Sequence, residues 1–173
     1  GASFNIVKTA NSLGAGLIVG GVFFDGNDIY MGTNDGLLHS SNGGSSFMVM
    51  PTTGITAGQV IWNFAGGKNG GTTRFTCIAS DIGDTYNGIK PWEYYGFAKA
   101  VYTMDNANGT WVDRSSGINF SNDFIMYAAM SWNDVNTIYL GGNDDANGAP
   151  LVLRSTTGGT NWSSVYQTIN NAN

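Results

Sequence analysis

The sequence predicts an all-β chain built of about three four-stranded antiparallel units, on three observations. The composition suits short strands and tight turns: there are 26 Gly against 3 Pro, many Asn, Ser and Thr, and only 11% charged residues. No window holds a sustained apolar 3.6-residue period, so almost no helix is expected. A turn signature recurs in matching surroundings. Ser40-Ser41-Asn42-Gly43-Gly44-Ser45-Ser46-Phe47 follows the strand-like run Gly36-Leu37-Leu38-His39, and Ser155-Thr156-Thr157-Gly158-Gly159-Thr160-Asn161-Trp162 follows Leu151-Val152-Leu153-Arg154. In each, glycine permits φ > 0, a short Asn or Thr side chain can bond back to the turn, and an aromatic opens the returning strand.

Taken in order, the first unit is expected to hold strands over 15–21, 28–33, 36–40 and 46–50. The second holds 59–65, 73–80, 97–104 and 110–114, and the third 124–130, 137–142, 150–155 and 161–166. Turn signals such as Asp25-Gly26-Asn27, Asn34-Asp35-Gly36 and Asn147-Gly148 separate them. Gly66-Gly67-Lys68-Asn69-Gly70-Gly71 reads as the first hairpin of unit two, not as a phosphate loop, since no Gly-Lys-Ser/Thr follows. A degenerate turn, Met104-Asp105-Asn106-Ala107-Asn108-Gly109-Thr110-Trp111, keeps Gly-Thr-Trp without the spacing of the other two. Phe47, Trp111 and Trp162 then close successive units of about 40–50 residues, the second with an insertion. The second strands also match, Ile29-Tyr30-Met31-Gly32 against Ile138-Tyr139-Leu140-Gly141. A β-sandwich or jelly roll would also have many short strands; the repeated order of strand, glycine turn and aromatic favours blades. Trp62, Phe64, Met126, Tyr127 and Met130 are expected in the core.

The two glycine turns resemble the Asp-box, or BNR repeat, of β-propeller proteins, with the pattern Ser/Thr-x-Asp-x-Gly-x-Thr-Trp/Phe. Asn42 and Thr157 stand at the Asp position. The resemblance implies a β-propeller segment of about three four-stranded blades, at approximately 15–50, 58–114 and 124–166, within a single region 1–173. Propellers close with about four to eight blades. The rest of the propeller or another protein chain is therefore expected to complete the ring, and Gly1 reads as a mature or excised end.

Charge and cysteine usage narrow the function. A net charge of −5 with 7 Lys+Arg argues against nucleic acid or an anionic membrane as partner. No apolar run approaches the roughly 18 residues of a membrane span. Cys77, the only cysteine, lies in the apolar run 75–79 and reads as a buried structural thiol. Low Lys with abundant Asn, Gly, Thr and aromatics is the composition of a secreted, extracellular protein. Sequons at Asn108, Asn119 and Asn161 are as frequent as chance gives in so Asn-rich a chain.

In a meander, alternate loops point to opposite ends. The glycine turns share one end; the second-to-third loops and the links between units share the other, the loop face. The longest second-to-third loop is 81–96, in unit two. It carries Asp81, Asp84 and Glu93 as candidate catalytic carboxylates, and Tyr86, Trp92, Tyr94 and Tyr95 as candidate sugar-stacking residues. Packing of this loop against a neighbouring blade or subunit is the plain alternative. Ile78-Ala79-Ser80-Asp81-Ile82-Gly83-Asp84-Thr85-Tyr86 is similar to the Arg-Thr-Asp-Ile-Gly-Gly-x-Tyr segment of xyloglucanase-type glycoside hydrolases, with Ala79-Ser80 in place of Arg-Thr and Asp84 in place of the second Gly. That resemblance implies a catalytic carboxylate at Asp81 and a β-glucan or xyloglucan-like polysaccharide as substrate. In-chain partners for Asp81 would be Asp84, Glu93 or Asp123, since an inverting pair needs two carboxyls about 6.5–9.5 Å apart. The reading leans to a glycoside hydrolase. The alternative is a non-enzymatic extracellular module, as in sortilin-like propellers, adhesins or structural assemblies.

Other chemistry is weaker. Sialidases need an arginine cluster, and Arg74, Arg114 and Arg154 occupy unlike strand positions without a Phe/Tyr-Arg-Ile-Pro motif. No metal site is expected; the nearest candidate is Ca²⁺ at 143–148, through Asp144 and Asp145, where a solvated turn is preferred. His39 has no ligand or nucleophile at a useful spacing and reads as structural.

Overall fold

A computed structural model of the chain describes residues 3–9, 16–83, 97–144 and 148–167. Among these residues, twelve strands form three four-stranded antiparallel sheets, each a plain meander. Unit one is β1 (Val19–Asp25), β2 (Asp28–Thr33), β3 (Gly36–Ser40) and β4 (Met48–Met50). Unit two is β5 (Gln59–Asn69), β6 (Thr72–Asp81), β7 (Ala98–Asp105) and β8 (Val112–Asp113). Unit three is β9 (Asp123–Met130), β10 (Ile138–Asp144), β11 (Ala149–Ser155) and β12 (Ser163–Gln167). The architecture is propeller-like: the first strands lie innermost, β1 against β5 and β5 against β9.

β1 is displaced from expectation. It runs on through Val22-Phe23-Phe24 to a two-residue turn with Gly26 at φ +64°. A two-residue hairpin pairs its strands right up to the turn, here Asp25 with Asp28. β5 likewise continues through Gly66, Gly67 and Lys68, leaving only Gly70 and Gly71 as the turn.

Each first strand carries one extra residue at the same place: Gly20, Trp62 and Met126. The bulge aligns the units residue for residue. Cross-strand rows Gly21–Gly32–Leu37–Met50, Asn63–Ile78–Val101 and Tyr127–Gly141–Val152–Tyr166 lie on the front of units one, two and three. The rows behind them are Val22–Met31–Leu38–Val49, Phe64–Cys77–Tyr102–Asp113 and Ala128–Leu140–Leu153–Ser164.

Two cores follow. The front of unit one meets the back of unit two, with Leu37 and Met50 against Phe64, Cys77 and Tyr102. A Cβ on Gly32 would fall inside the Phe64 side chain, so only glycine admits the ring there. The front of unit two meets the back of unit three, with Ile78 and Val101 against Ala128, Leu140 and Leu153. Large and small exchange sides between the two contacts: Gly32 takes Phe64, and Ile78 takes Ala128. Asn63 joins all three inner strands, donating to the Gly20 carbonyl (3.1 Å) and accepting from the Ala128 amide (2.8 Å).

Cys77 is fully buried, and burial pushes its thiol far above the usual range. Phe64 is core as expected; Tyr127 is not, lying exposed on the front of unit three. His39 stacks on Tyr30 (4.5 Å) and pairs with Asp28 (2.7 Å), a structural role.

Candidate functional site

The two glycine turns are built alike. Ser40 Oγ accepts the Gly44 amide at 2.9 Å, as Ser155 Oγ accepts Gly159 at 2.9 Å. Asn42 Oδ1 accepts the Ser46 amide at 3.0 Å, as Thr157 Oγ1 accepts Asn161 at 3.0 Å. Gly43 and Gly158 adopt φ +67° and +64°, and each amide bonds the preceding hairpin, at Asn27 O and Asn136 O. The uncharged Asn and Thr thus supply the turn's acceptor. The Phe47 ring reaches beneath Gly44. The 104–111 turn differs, with Asn106 and Ala107 in the left-handed region.

The second of these turns is a docking point between units. Arg74 forms a bidentate pair with Asp105 (2.6 and 2.8 Å) and donates to Asn136 Oδ1 (2.9 Å) in unit three. Its guanidinium fills the space beside Gly158. Arg114 packs on Gly159, and its carbonyl accepts the Trp162 indole N–H at 2.7 Å. The hydrogen bonds of Arg74 hold the Asp105 carboxyl below the usual carboxylate range.

The loop face holds a cleft of about 280 Å³ between units one and two. Asn34, Asp35 and Thr52 line it with Ile55, Gln59, Val60, Ile61 and Ile82. These residues come from the β2–β3 turn, the link to unit two, the start of β5 and the end of β6. The cleft is rigidly framed. Asn34 Oδ1 accepts the Ile18 amide (2.8 Å), while its Nδ2 donates to Gly16 O (3.1 Å). Gln59 Oε1 accepts the hydroxyl of the buried Tyr102 (3.0 Å), which in turn accepts the Thr56 amide (3.3 Å). Thr52, Ile55 and Gln59 carry no motif; only the rule that links and second-to-third loops share one end could have singled them out.

Asp81 ends β6 on this face, next to the cleft residue Ile82, and is half exposed. It forms an ion pair with Lys99 of β7 at 3.2 Å, a partner the sequence reading did not foresee. Asp84, Tyr86, Trp92, Glu93, Tyr94 and Tyr95 lie outside the described residues, as does Asp145. At the start of the chain after that loop, Phe97 packs edge-on against Trp62 (4.8 Å) and Phe124 (6.3 Å).

A carboxylate pair stands in unit three. Asp123 and Asp144 are register partners at the loop-face end of β9 and β10. Burial raises the Asp123 carboxyl above the usual range; the Asn119 amide opposes this and the Asp144 charge adds to it. Among the described residues, no group of three or more His, Cys, Asp or Glu could hold a metal ion. No described helix is long and apolar enough to cross a membrane.

No family model matches the chain, and no curated protein matches it. Among solved structures it is similar to one described as "YCF48 bound to D1 peptide", with a TM-score of 0.36 and 10% sequence identity, over 86% of this chain and 51% of that one. The chain therefore spans about half the length of that structure.

Proposed function

We propose that the chain is a non-catalytic, extracellular propeller-like module that holds a partner at the loop-face cleft between units one and two. The observation that carries this reading is the cleft itself, with aliphatic side chains set beside the fixed amides of Asn34 and Gln59. Such a lining suits a ligand that offers both an apolar face and hydrogen-bonding groups. Asp81 beside it is paired with the Lys99 ammonium at 3.2 Å.

A second reading keeps the carbohydrate chemistry. Asp81 closes β6 at the mouth of the 81–96 loop, and with Asp84 or Glu93 it would act on a β-glucan or xyloglucan-like chain stacked on Tyr86, Trp92, Tyr94 and Tyr95. One experiment separates the two. Xyloglucan and β-glucan oligosaccharides are incubated with the parent protein and with Asp81→Asn and Ile55→Trp variants, while binding and new reducing ends are measured. The binding-module reading expects no reducing ends from any variant, and binding that Ile55→Trp weakens by filling the cleft. Release of reducing ends by the parent, abolished in Asp81→Asn, would establish the hydrolase instead.

A further inference from the structure

The ionisable side chains are sorted by the end of the sheets at which they lie. The end that carries the glycine turns pairs its charges: Lys68 with Asp25 (2.6 Å), His39 with Asp28 (2.7 Å) and Arg74 with Asp105 (2.6 Å). Arg114 and Arg154 belong to that end too, Arg114 against Gly159 and Arg154 one residue before Ser155. The loop-face end holds carboxylates instead: Asp35 after β2, Asp81 at the close of β6, and the register partners Asp123 and Asp144. Among the described residues of the three units, the cation at this end is Lys99, which pairs with Asp81. A partner that approaches the loop face therefore meets a negative potential, and a positive partner is the one it attracts.

The cleft between units one and two gives that field a shape. Ile55, Val60, Ile61 and Ile82 supply an aliphatic wall, and the Asp35 carboxylate and the Thr52 hydroxyl stand among them as acceptors. Gln59 spends its Oε1 on the Tyr102 hydroxyl (3.0 Å), so Nε2 is left as its donor. A wall of methyl groups with a carboxylate set in it is the complement of a lysine or arginine side chain, whose methylene stem ends in a cation. The backbone carbonyl of a peptide is the acceptor that the Gln59 amide would take.

Building on the cleft as the docking place, we propose that it takes a lysine or arginine side chain from an extended segment of a partner protein. The stem lies on Ile55, Val60 and Ile82, and the charged head meets the Asp35 carboxylate. Other occupants fit less well. A purely aliphatic side chain would cover Asp35 and take water from its carboxylate without returning a countercharge. An acidic one would be repelled by Asp35 and by Asp81 beside the cleft. A small inorganic cation would leave the aliphatic wall unused.

The test is an NMR titration of the 173-residue chain with end-blocked pentapeptides, each with valine on either side of a central lysine, arginine, norleucine or glutamate. The lysine or arginine peptide should shift the amides of Asp35, Ile55, Gln59 and Ile82 and bind about tenfold or more tightly than the norleucine peptide, with glutamate weakest. Its affinity should fall as salt rises from about 0.01 M to about 1 M, where the Debye length shrinks from about 30 Å to about 3 Å. Asp35→Asn keeps a residue that suits the turn and should weaken the basic peptide about tenfold, down to the norleucine level. Asp113→Asn makes the same change in net charge on the exposed strand β8 and should leave the affinity within about twofold. Equal binding of the lysine and norleucine peptides, no shift at these amides with either basic peptide, or an Asp35→Asn variant that binds like the parent would overturn the cationic occupant. The cleft as a docking place fails separately, if Ile55→Trp leaves unchanged the binding of every peptide and oligosaccharide that the parent holds.

Discussion

Single side chains set much of the stability. Ser155 Oγ accepts the Thr157 and Gly159 amides, the latter buried, so Ser155→Ala should cost about 1–2 kcal/mol in urea denaturation. The two tryptophans that end the later turns should behave oppositely. Trp111 is buried with its indole N–H unpartnered, whereas the Trp162 N–H bonds Arg114 O. Trp111→Phe should therefore cost less than Trp162→Phe, which leaves a carbonyl without its donor. Two carboxylates should show opposite pH signs. The Asp105 carboxyl is depressed in the fold, so its stabilisation is present above the unfolded value and is lost as pH falls through the folded one. Asp105→Asn should lower stability by about 1 kcal/mol at pH 7, a modest effect for a partly exposed pair, and lose that effect in acid. The Asp123 carboxyl is raised, so the folded chain holds its proton longer and stability falls as pH climbs through that window. Asp123→Asn should raise the melting temperature at neutral pH and flatten its dependence there.

At the scale of strands, the sequence was legible wherever a signal was local. β2 and β3 lie where the turn residues put them, and both glycine turns have the expected hydrogen bonds because every partner lies within a few residues. Non-local effects were not legible. Gly66 looked like part of a turn, yet it is a strand residue left bare for the Phe23 ring of another sheet. Tyr127 was expected in the core; it faces outward, one residue after the Met126 bulge that resets which side each residue takes. In the candidate site, Asp81 was legible as the end of a strand, but Lys99 was not, since β7 is brought alongside only by the sheet register. The Gly32 slot gives a test at this scale. Gly32→Ala should cost about 1–3 kcal/mol through collision with Phe64, and the pair Gly32→Ala with Phe64→Leu should recover part of it.

For the molecule as a whole, the buried thiol reports on opening between sheets. Cys77 lies in the contact between units one and two, and burial disfavours its thiolate. Native protein should react with a thiol reagent only through opening of that contact, and the unfolded chain should react at once. The Gly32→Ala variant should accelerate labelling in step with its loss of stability. The nearest-neighbour strand order carries a kinetic consequence. Every strand within a sheet pairs with the strand before or after it in the chain, so no loop must close around an unformed partner. A nascent chain can hence complete each leaf as it emerges and lay it on the one already made, and folding should be quick for an all-β protein of this length.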